Sequence, residues 1–137
     1  MARGFHILIV EDEPSVLDAL QTTLETRYRV SSASTVQEAR AVLQTSQIDV
    51  ALVDSILPDG RGDDVAAFAE GIGATVIEMT GYSPEHVGLD ASDRQHLFKP
   101  FGANVLLSTV AFALHEDRRR IAEGEDCISG EARSAPA

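Results

Sequence analysis

Short apolar runs alternate with amphipathic segments along most of the chain, and these runs predict strands. Five of them predict strands, at residues 5–10, 28–33, 48–53, 74–79 and 95–98, and the second of these is weaker than the first. The first run is almost entirely apolar, which is typical of a parallel strand that is covered on both faces. The pattern therefore predicts a sheet whose first strand lies in its interior.

Segments with apolar residues at helical spacing lie between these runs and predict the helices. The first helix begins at Pro14 and ends near Thr26, and the last runs from Ala103 to His115 with a clear apolar stripe. A capping box precedes the second helix and fits two registers, Ser34 with Gln37 or Thr35 with Glu38. A short third helix follows a loop at residues 57–62 that is rich in Pro and Gly.

The stretch between the fourth and fifth strands departs from this pattern. Only three residues between Pro84 and Arg94 are apolar, so we expect the fourth helix to be short or irregular. Glu78 lies inside the otherwise apolar fourth strand. Because sealing an unpaired carboxylate in a core is costly, we expect a thin cover over Glu78 on that face of the sheet.

Alternating strands and helices predict an α/β fold, a doubly wound five-stranded parallel sheet with helices on both faces. The number of units predicts a flavodoxin-like layout with strand order 2-1-3-4-5. In such sheets, ligands bind beyond the carboxyl ends of the strands, between the first and third strands. The apolar pattern is lost from Glu116 onward, so we expect a domain over residues 1–116 and a frayed helix end and flexible tail over residues 117–137.

The charge balance excludes several classes of partner. The 137 residues include 11 basic and 22 acidic side chains, a formal net charge of −11, so we expect no binding to nucleic acid or to anionic membranes. No apolar run has the length of a membrane span, and the first residues lack the pattern of a signal peptide. With Cys127 as the single cysteine, these features predict a cytoplasmic protein.

Polar residues follow four of the predicted strands and converge at one edge of the sheet. Glu11 and Asp12 follow the first strand, Asp54 the third, Thr80 the fourth and Lys99 the fifth. Crowded carboxylates are stable mainly with a divalent cation, and Mg²⁺ prefers oxygen ligands. A hydroxyl and an ammonium group add two partners for phosphoryl oxygens. The set predicts Mg²⁺-assisted phosphoryl transfer with a carboxylate as covalent acceptor.

Each of these residues also has an ordinary structural interpretation. The acids after the first strand would favour a helix dipole, with Asp12 as the helix cap. Asp54 and Thr80 suit turns, and Lys99 suits an exposed surface. Because all of them meet at one edge of one predicted sheet, we favour the functional interpretation.

Over residues 5 to about 115, the chain resembles the receiver domains of two-component response regulators. The landmarks occur in the family's order, namely Glu11-Asp12, Asp54 with Pro58 and Gly62, Thr80, and Lys99-Pro100-Phe101. The resemblance implies that Asp54 is the phosphoacceptor, that Thr80 binds the phosphoryl group and that Lys99 neutralises it. It also implies a cis Lys99–Pro100 bond, and Mg²⁺ ligands from Glu11, Asp12, Asp54 and the backbone carbonyl of Ile56.

Three positions are expected to modify the family's behaviour. His96 stands three residues before the lysine, where receivers usually carry a Tyr or Phe that repacks when the threonine moves. The switch formed by Thr80 and His96 is therefore expected to be altered. Ile56 and Tyr82 occupy positions that tune access of the hydrolytic water in the family, and because both are bulky we expect slow self-dephosphorylation.

The primary prediction is a single-domain, stand-alone receiver in a phosphorelay, and not an enzyme, because no output domain fits after His115. It would accept a phosphoryl group from a histidine kinase or a histidine phosphotransfer protein and signal to a downstream protein by changing shape, as a monomer or weak dimer. A phosphatase with an aspartate nucleophile would need a second acid where Ile56 stands. Two alternatives stay open, a phosphorylation-independent interaction module and the receiver segment of a hybrid kinase.

Overall fold

The computed structural model describes residues 4–81 and 94–125. Seven strands and four helices follow one another in this part of the chain. The strands are β1 (His6–Val10), β2 (Arg29–Ala33), β3 (Val50–Asp54), β4 (Ile56–Leu57), β5 (Gly60–Arg61), β6 (Thr75–Thr80) and β7 (Gln95–Phe98). The helices are α1 (Pro14–Glu25), α2 (Val36–Thr45), α3 (Gly62–Gly71) and α4 (Ala103–Glu125).

Five strands form one parallel sheet in the order β2-β1-β3-β6-β7. The other two strands, β4 and β5, pair with each other in a small antiparallel hairpin. Without that hairpin, the order is the predicted 2-1-3-4-5. The chain therefore has the predicted doubly wound flavodoxin-like fold, with its reversal point between β1 and β3.

Alternate strand residues face opposite sides of the sheet and build two apolar cores. Leu8 and Val10 of β1 pack with residues of α2 and α3 on one side. Ile7 and Ile9 pack with residues of α1 and α4 on the other. Both β1 and β3 are buried along their whole length, which explains why the sequence of β1 is apolar without alternation.

The starts of α1 and α2 resolve two sequence alternatives. Helix α1 begins at Pro14, but its N-cap residue is Glu13 and not Asp12. Helix α2 uses the second register of the capping box, in which the Thr35 hydroxyl accepts from the backbone N–H of Glu38 at 3.0 Å. The Glu38 carboxylate accepts in turn from the backbone N–H of Ser34 at 2.8 Å, and this bond holds the pKa of Glu38 below its usual value.

Two segments extend or replace what the apolar pattern indicates. The segment after Asp54 forms the β4–β5 hairpin where the sequence indicates only a loop. Helix α4 continues to Glu125, past His115, because the Arg and Glu residues that follow favour a helix without an apolar stripe. The fourth helix expected between Pro84 and Arg94 falls largely on residues 82–93, outside the described residues. None of the described helices is both long and apolar enough to cross a membrane.

Candidate functional site

Three carboxylates meet at the carboxyl ends of β1 and β3, as the sequence predicts. Glu11 and Asp12 follow β1, and Asp54 is the last residue of β3. One oxygen of each carboxylate lies within 4.8 Å of an oxygen of the other two. Glu11 is fully buried and Asp12 is exposed, so the group of acids runs from the interior of the sheet to its surface.

Lys99, directly after β7, adds a positive charge to this group of acids. Its Nζ donates to Glu11 Oε1 at 2.9 Å and to Asp54 Oδ1 at 3.2 Å. The Lys99–Pro100 peptide bond is cis, which confirms the expectation from the family pattern. We call Glu11, Asp12, Asp54 and Lys99 the acidic pocket.

Burial and pairing act against each other on the charges of the acidic pocket. Burial raises the pKa of Glu11 above its usual value, and the hydrogen bond from Lys99 opposes that rise. Burial lowers the pKa of Lys99, but the hydrogen bond to Glu11 and the negative charges of Asp54 and Glu11 outweigh it and leave that pKa raised. Lys99 is therefore a permanent cation at neutral pH.

The acidic pocket suits a divalent metal ion. Three carboxylates and one ammonium group leave two negative charges uncompensated among these four side chains. Mg²⁺ prefers hard oxygen donors and usually keeps several of its water molecules. The acidic pocket offers carboxylate oxygens with excess negative charge, and Asp12 is open to solvent. The residues therefore fit the predicted Mg²⁺ site.

Thr80 lies beside the acidic pocket at the carboxyl end of β6. The residue before it, Met79, pairs with Asp54 across the β3–β6 ladder, and Thr80 itself is buried. The backbone N–H of Lys99 donates to the Thr80 carbonyl at 2.8 Å. The end of β6 is thus fixed between β3, which carries Asp54, and Lys99, which donates to Asp54.

The chain turns sharply after Asp54, and this turn requires glycine at position 62. A Cβ atom on Gly62 would collide with the carbonyl oxygen of Asp54. The backbone N–H of Gly62 donates to the Ser55 carbonyl at 3.0 Å. Ile56, the residue after Ser55, is 63% exposed, and its backbone carbonyl belongs to the same turn.

His96 belongs to a second polar group, which resolves the conflict at Glu78. The Glu78 carboxylate accepts from Arg94 Nη1 at 2.7 Å and lies 2.9 Å from His96 Nε2. Arg94 also donates to both oxygens of Glu70 on α3, at 2.8 and 3.0 Å. We call Glu70, Glu78, Arg94 and His96 the Glu78 cluster. The expected thin cover is therefore not needed to explain Glu78, because its charge is paired.

The structure brings together most of the predicted site residues. Glu11, Asp12, Asp54, Thr80 and Lys99 meet at one edge of the sheet, with Ile56 in the adjoining turn. His96 is half-buried against Glu78, with its ring stacked on Phe98 at a centroid distance of 6.1 Å. Tyr82 lies outside the described residues. Sequence reasoning missed Arg94, for which the only signal was the unexplained acid at position 78.

Comparison with known proteins places this geometry in a family. The model of the response regulator receiver domain matches residues 7–111. The transcriptional regulatory protein KdpE of Mycobacterium tuberculosis is 35% identical over 124 residues, which are 87% of this chain and 54% of that protein. KdpE of Escherichia coli is 33% identical over 114 residues, which are 80% of this chain and 51% of that protein. The chain therefore spans about half the length of these curated relatives.

A solved structure gives the same result for the fold. A CheY-like response regulator receiver domain protein from Methanospirillum hungatei superposes with a TM-score of 0.77 and 29% identity, covering 86% of this chain and 99% of that chain. Sequence and structure thus agree over the segment that carries the acidic pocket. The chain belongs to the response regulator receiver domain family of two-component systems.

Proposed function

We propose that Asp54 accepts a phosphoryl group from a histidine kinase or a histidine phosphotransfer protein, with Mg²⁺ held by the acidic pocket. The observation that carries this proposal is the position of Lys99 Nζ, 2.9 Å from Glu11 and 3.2 Å from Asp54. This arrangement puts a fixed cation beside a carboxylate nucleophile at the sheet edge where ligands bind. Glu11, Asp12, Asp54 and the backbone carbonyl of Ile56 are the proposed Mg²⁺ ligands.

The chemistry is an in-line displacement at phosphorus. A carboxylate oxygen of Asp54 forms the new O–P bond while the N–P bond of the donor phosphohistidine breaks, and the imidazole leaves with the electron pair. Lys99 and the hydroxyl of Thr80 compensate the charge on the phosphoryl oxygens. Bound Mg²⁺ supplies the remaining positive charge. The chain is thus a phosphoacceptor that assists its own phosphorylation, and not an enzyme with a separate substrate.

Loss of the phosphoryl group is proposed to be slow. The side chain two residues after Asp54 is apolar and offers no acid or base to a hydrolytic water, and at 63% exposure Ile56 is free to shield the group. Tyr82 is the second residue proposed to tune this step. Replacement Ile56→Asn is expected to shorten the phosphoryl lifetime severalfold, measured by intact mass over time after removal of the phosphodonor. An unchanged lifetime would contradict the role of Ile56.

Signalling is proposed to pass from Thr80 to His96 and then to a downstream protein. Thr80 pairs with Phe98, and Glu78 pairs with His96 in the same ladder. Because the rings of Phe98 and His96 are stacked, a movement of Thr80 would reach Phe98 and then His96. Because His96 is bound to Glu78, its response differs from that of a freely repacking aromatic ring. This pairing also favours the second candidate, an interaction module that keeps the fold and acts without phosphorylation.

The decisive experiment is intact-mass analysis after incubation with a small-molecule phosphodonor, with and without Mg²⁺. We expect one phosphoryl adduct that requires Mg²⁺ and is absent from an Asp54→Ala variant. A matched control, Glu78→Gln, changes a carboxylate outside the acidic pocket and should keep the adduct. No adduct on the native chain, together with no Mg²⁺ binding, would favour the phosphorylation-independent module.

A further inference from the structure

The carboxylate of Asp59 fastens the turn after Asp54 to the start of α2. Asp59 lies between β4 and β5, at the tip of the small hairpin. Its Oδ1 accepts from the backbone N–H of Val36 at 2.7 Å, and its Oδ2 accepts from that of Gln37 at 3.1 Å. These are the first two residues of α2, so the acid caps a helix that precedes it by more than twenty positions in the chain.

The hairpin needs this external support, because only two residue pairs connect its strands. Isolated two-stranded hairpins are marginal in water even when they are longer. Leu57 is buried in the core shared by α2 and α3, and a Cβ on Gly60 would lie 3.1 Å from a methyl group of Val36. Contacts with α2 therefore hold the hairpin at its tip and along one side.

Helix α2 has its own cap as well as Asp59. The Thr35 hydroxyl accepts from the backbone N–H of Glu38, and the Asp59 carboxylate accepts from those of Val36 and Gln37. The two caps share one helix end, and of the two capping residues only Asp59 belongs to the segment that also carries Asp54 and Ile56. The pKa of Asp59 is held below its usual value, chiefly by the hydrogen bond from Val36, so the connection is present at neutral pH.

We propose that Asp59 is a positioning residue for the Mg²⁺ site. By tying the hairpin tip to α2, it fixes the base of the hairpin, where the backbone carbonyl of Ile56 is the proposed metal ligand. This inference rests on the proposed function. Loss of an outer residue that orients metal ligands typically weakens metal binding by about tenfold or more, and we expect an effect near the lower end because Asp59 acts through the backbone.

The test is a calorimetric Mg²⁺ titration of the full chain, comparing native protein with Asp59→Ala and Thr35→Ala. Both variants remove a cap from α2, but only Asp59→Ala removes hydrogen bonds between α2 and the hairpin. We expect about tenfold weaker Mg²⁺ binding for Asp59→Ala and native affinity for Thr35→Ala. At saturating Mg²⁺, Asp59→Ala should recover the native rate of phosphorylation by a small-molecule donor, because the acceptor itself is intact. Asp59→Asn keeps one acceptor oxygen, so its Mg²⁺ affinity should lie between those of the native protein and of Asp59→Ala. This variant replaces Asp59→Ala in the comparison if the alanine variant does not fold.

The outcomes separate this inference from the proposed function. If native protein binds no Mg²⁺, the proposed function fails and the inference fails with it. If native protein binds Mg²⁺ and Asp59→Ala binds it equally well, only the role of Asp59 is refuted. Equal weakening in Asp59→Ala and Thr35→Ala would also refute it, since the effect would then come from the stability of α2.

Discussion

The acidic pocket and the Glu78 cluster are built from the same kinds of side chain but differ in how their carboxylates are matched by hydrogen-bond donors. The acidic pocket sets three carboxylates against one cation, Lys99. The Glu78 cluster sets two carboxylates against the guanidinium of Arg94 and the ring of His96, and Asp63 on α3 lies 3.7 Å from the same guanidinium. In the cluster, Arg94 and His96 together reach both carboxylate oxygens of Glu70 and of Glu78. In the pocket, the single ammonium group of Lys99 is shared between one oxygen of Glu11 and one of Asp54.

This difference separates a binding site from a structural contact. Uncompensated like charges destabilise the fold and are tolerated where a ligand supplies the missing charge. A matched set needs no ligand and instead connects the elements that carry it, here β6, β7 and α3. Removing a charge should therefore have opposite effects in the two groups, and four predictions test this contrast.

Mg²⁺ should stabilise the native chain through the acidic pocket alone. At a concentration 100 times the dissociation constant, a ligand that binds only the folded state adds about 2.7 kcal/mol to the free energy of unfolding. We expect this gain in urea unfolding of native protein and of Glu78→Gln. Asp12→Asn should lose much of it, and an equal gain in Asp12→Asn would contradict the assignment of Asp12 as a ligand.

Removal of the Glu78 side chain should destabilise the fold. Glu78→Ala removes the carboxylate that binds Arg94 and the half-buried His96. Loss of such a hydrogen-bond partner lowers the free energy of unfolding by about 2 kcal/mol. Glu78→Gln keeps an acceptor oxygen and should cost less. The measurement is the free energy of unfolding without Mg²⁺, and a native value for Glu78→Ala would show that the cluster is not a structural contact.

Removal of a charge from the acidic pocket should have the reverse sign. Without Mg²⁺, Asp12→Asn is expected to raise the free energy of unfolding by about 1 kcal/mol, the order of the repulsion between unit charges in water at the separations found here, which are within 4.8 Å. Asp12 suits this test because it is exposed, so no buried group is left without a partner. Destabilisation by Asp12→Asn under these conditions would refute the contrast between the two groups.

The smallest effect is expected where the Glu78 cluster reaches the surface. Glu70 is 41% exposed at its side chain, and exposed ion pairs contribute little. Glu70→Gln should therefore lower the free energy of unfolding by about 0.5 kcal/mol, well below the loss for Glu78→Ala. If the two losses were equal, the connection to α3 would be the principal contribution of Arg94.

The fold was predictable because its central strands, β1 and β3, are buried along their whole length. Continuous apolar runs such as β1 are visible in a single sequence, and alternation with helices predicts a doubly wound parallel sheet. The order of its strands followed from the flavodoxin-like layout. The β4–β5 hairpin was not predictable, since strands of two residues have no periodicity. The end of α4 was missed for a related reason, because an apolar stripe marks packing and not the length of a helix.

The acidic pocket was predictable from strand ends, whereas the Glu78 cluster was not. The carboxyl ends of parallel strands lie at one edge of the sheet, so Glu11 and Asp54 on neighbouring strands were expected to meet. The long side chain of Lys99 reaches them from the end of β7, two strands away from β3. Glu78 was visible as an anomaly, but a chain with 11 basic residues offers many partners for one acid. Only the register that sets Glu78 beside His96, and the reach of Arg94, identify the pairing.

The most direct test of the account is to locate the phosphoryl group chemically. An acyl phosphate on aspartate is reduced by borohydride to homoserine, which peptide mass mapping detects at a defined position. After phosphorylation with Mg²⁺ and a small-molecule donor, we predict homoserine at position 54 and at no other acid. Reduction at Glu11 or Asp12, or no reduction in a chain that has gained a phosphoryl mass, would contradict the assignment of Asp54 as the acceptor.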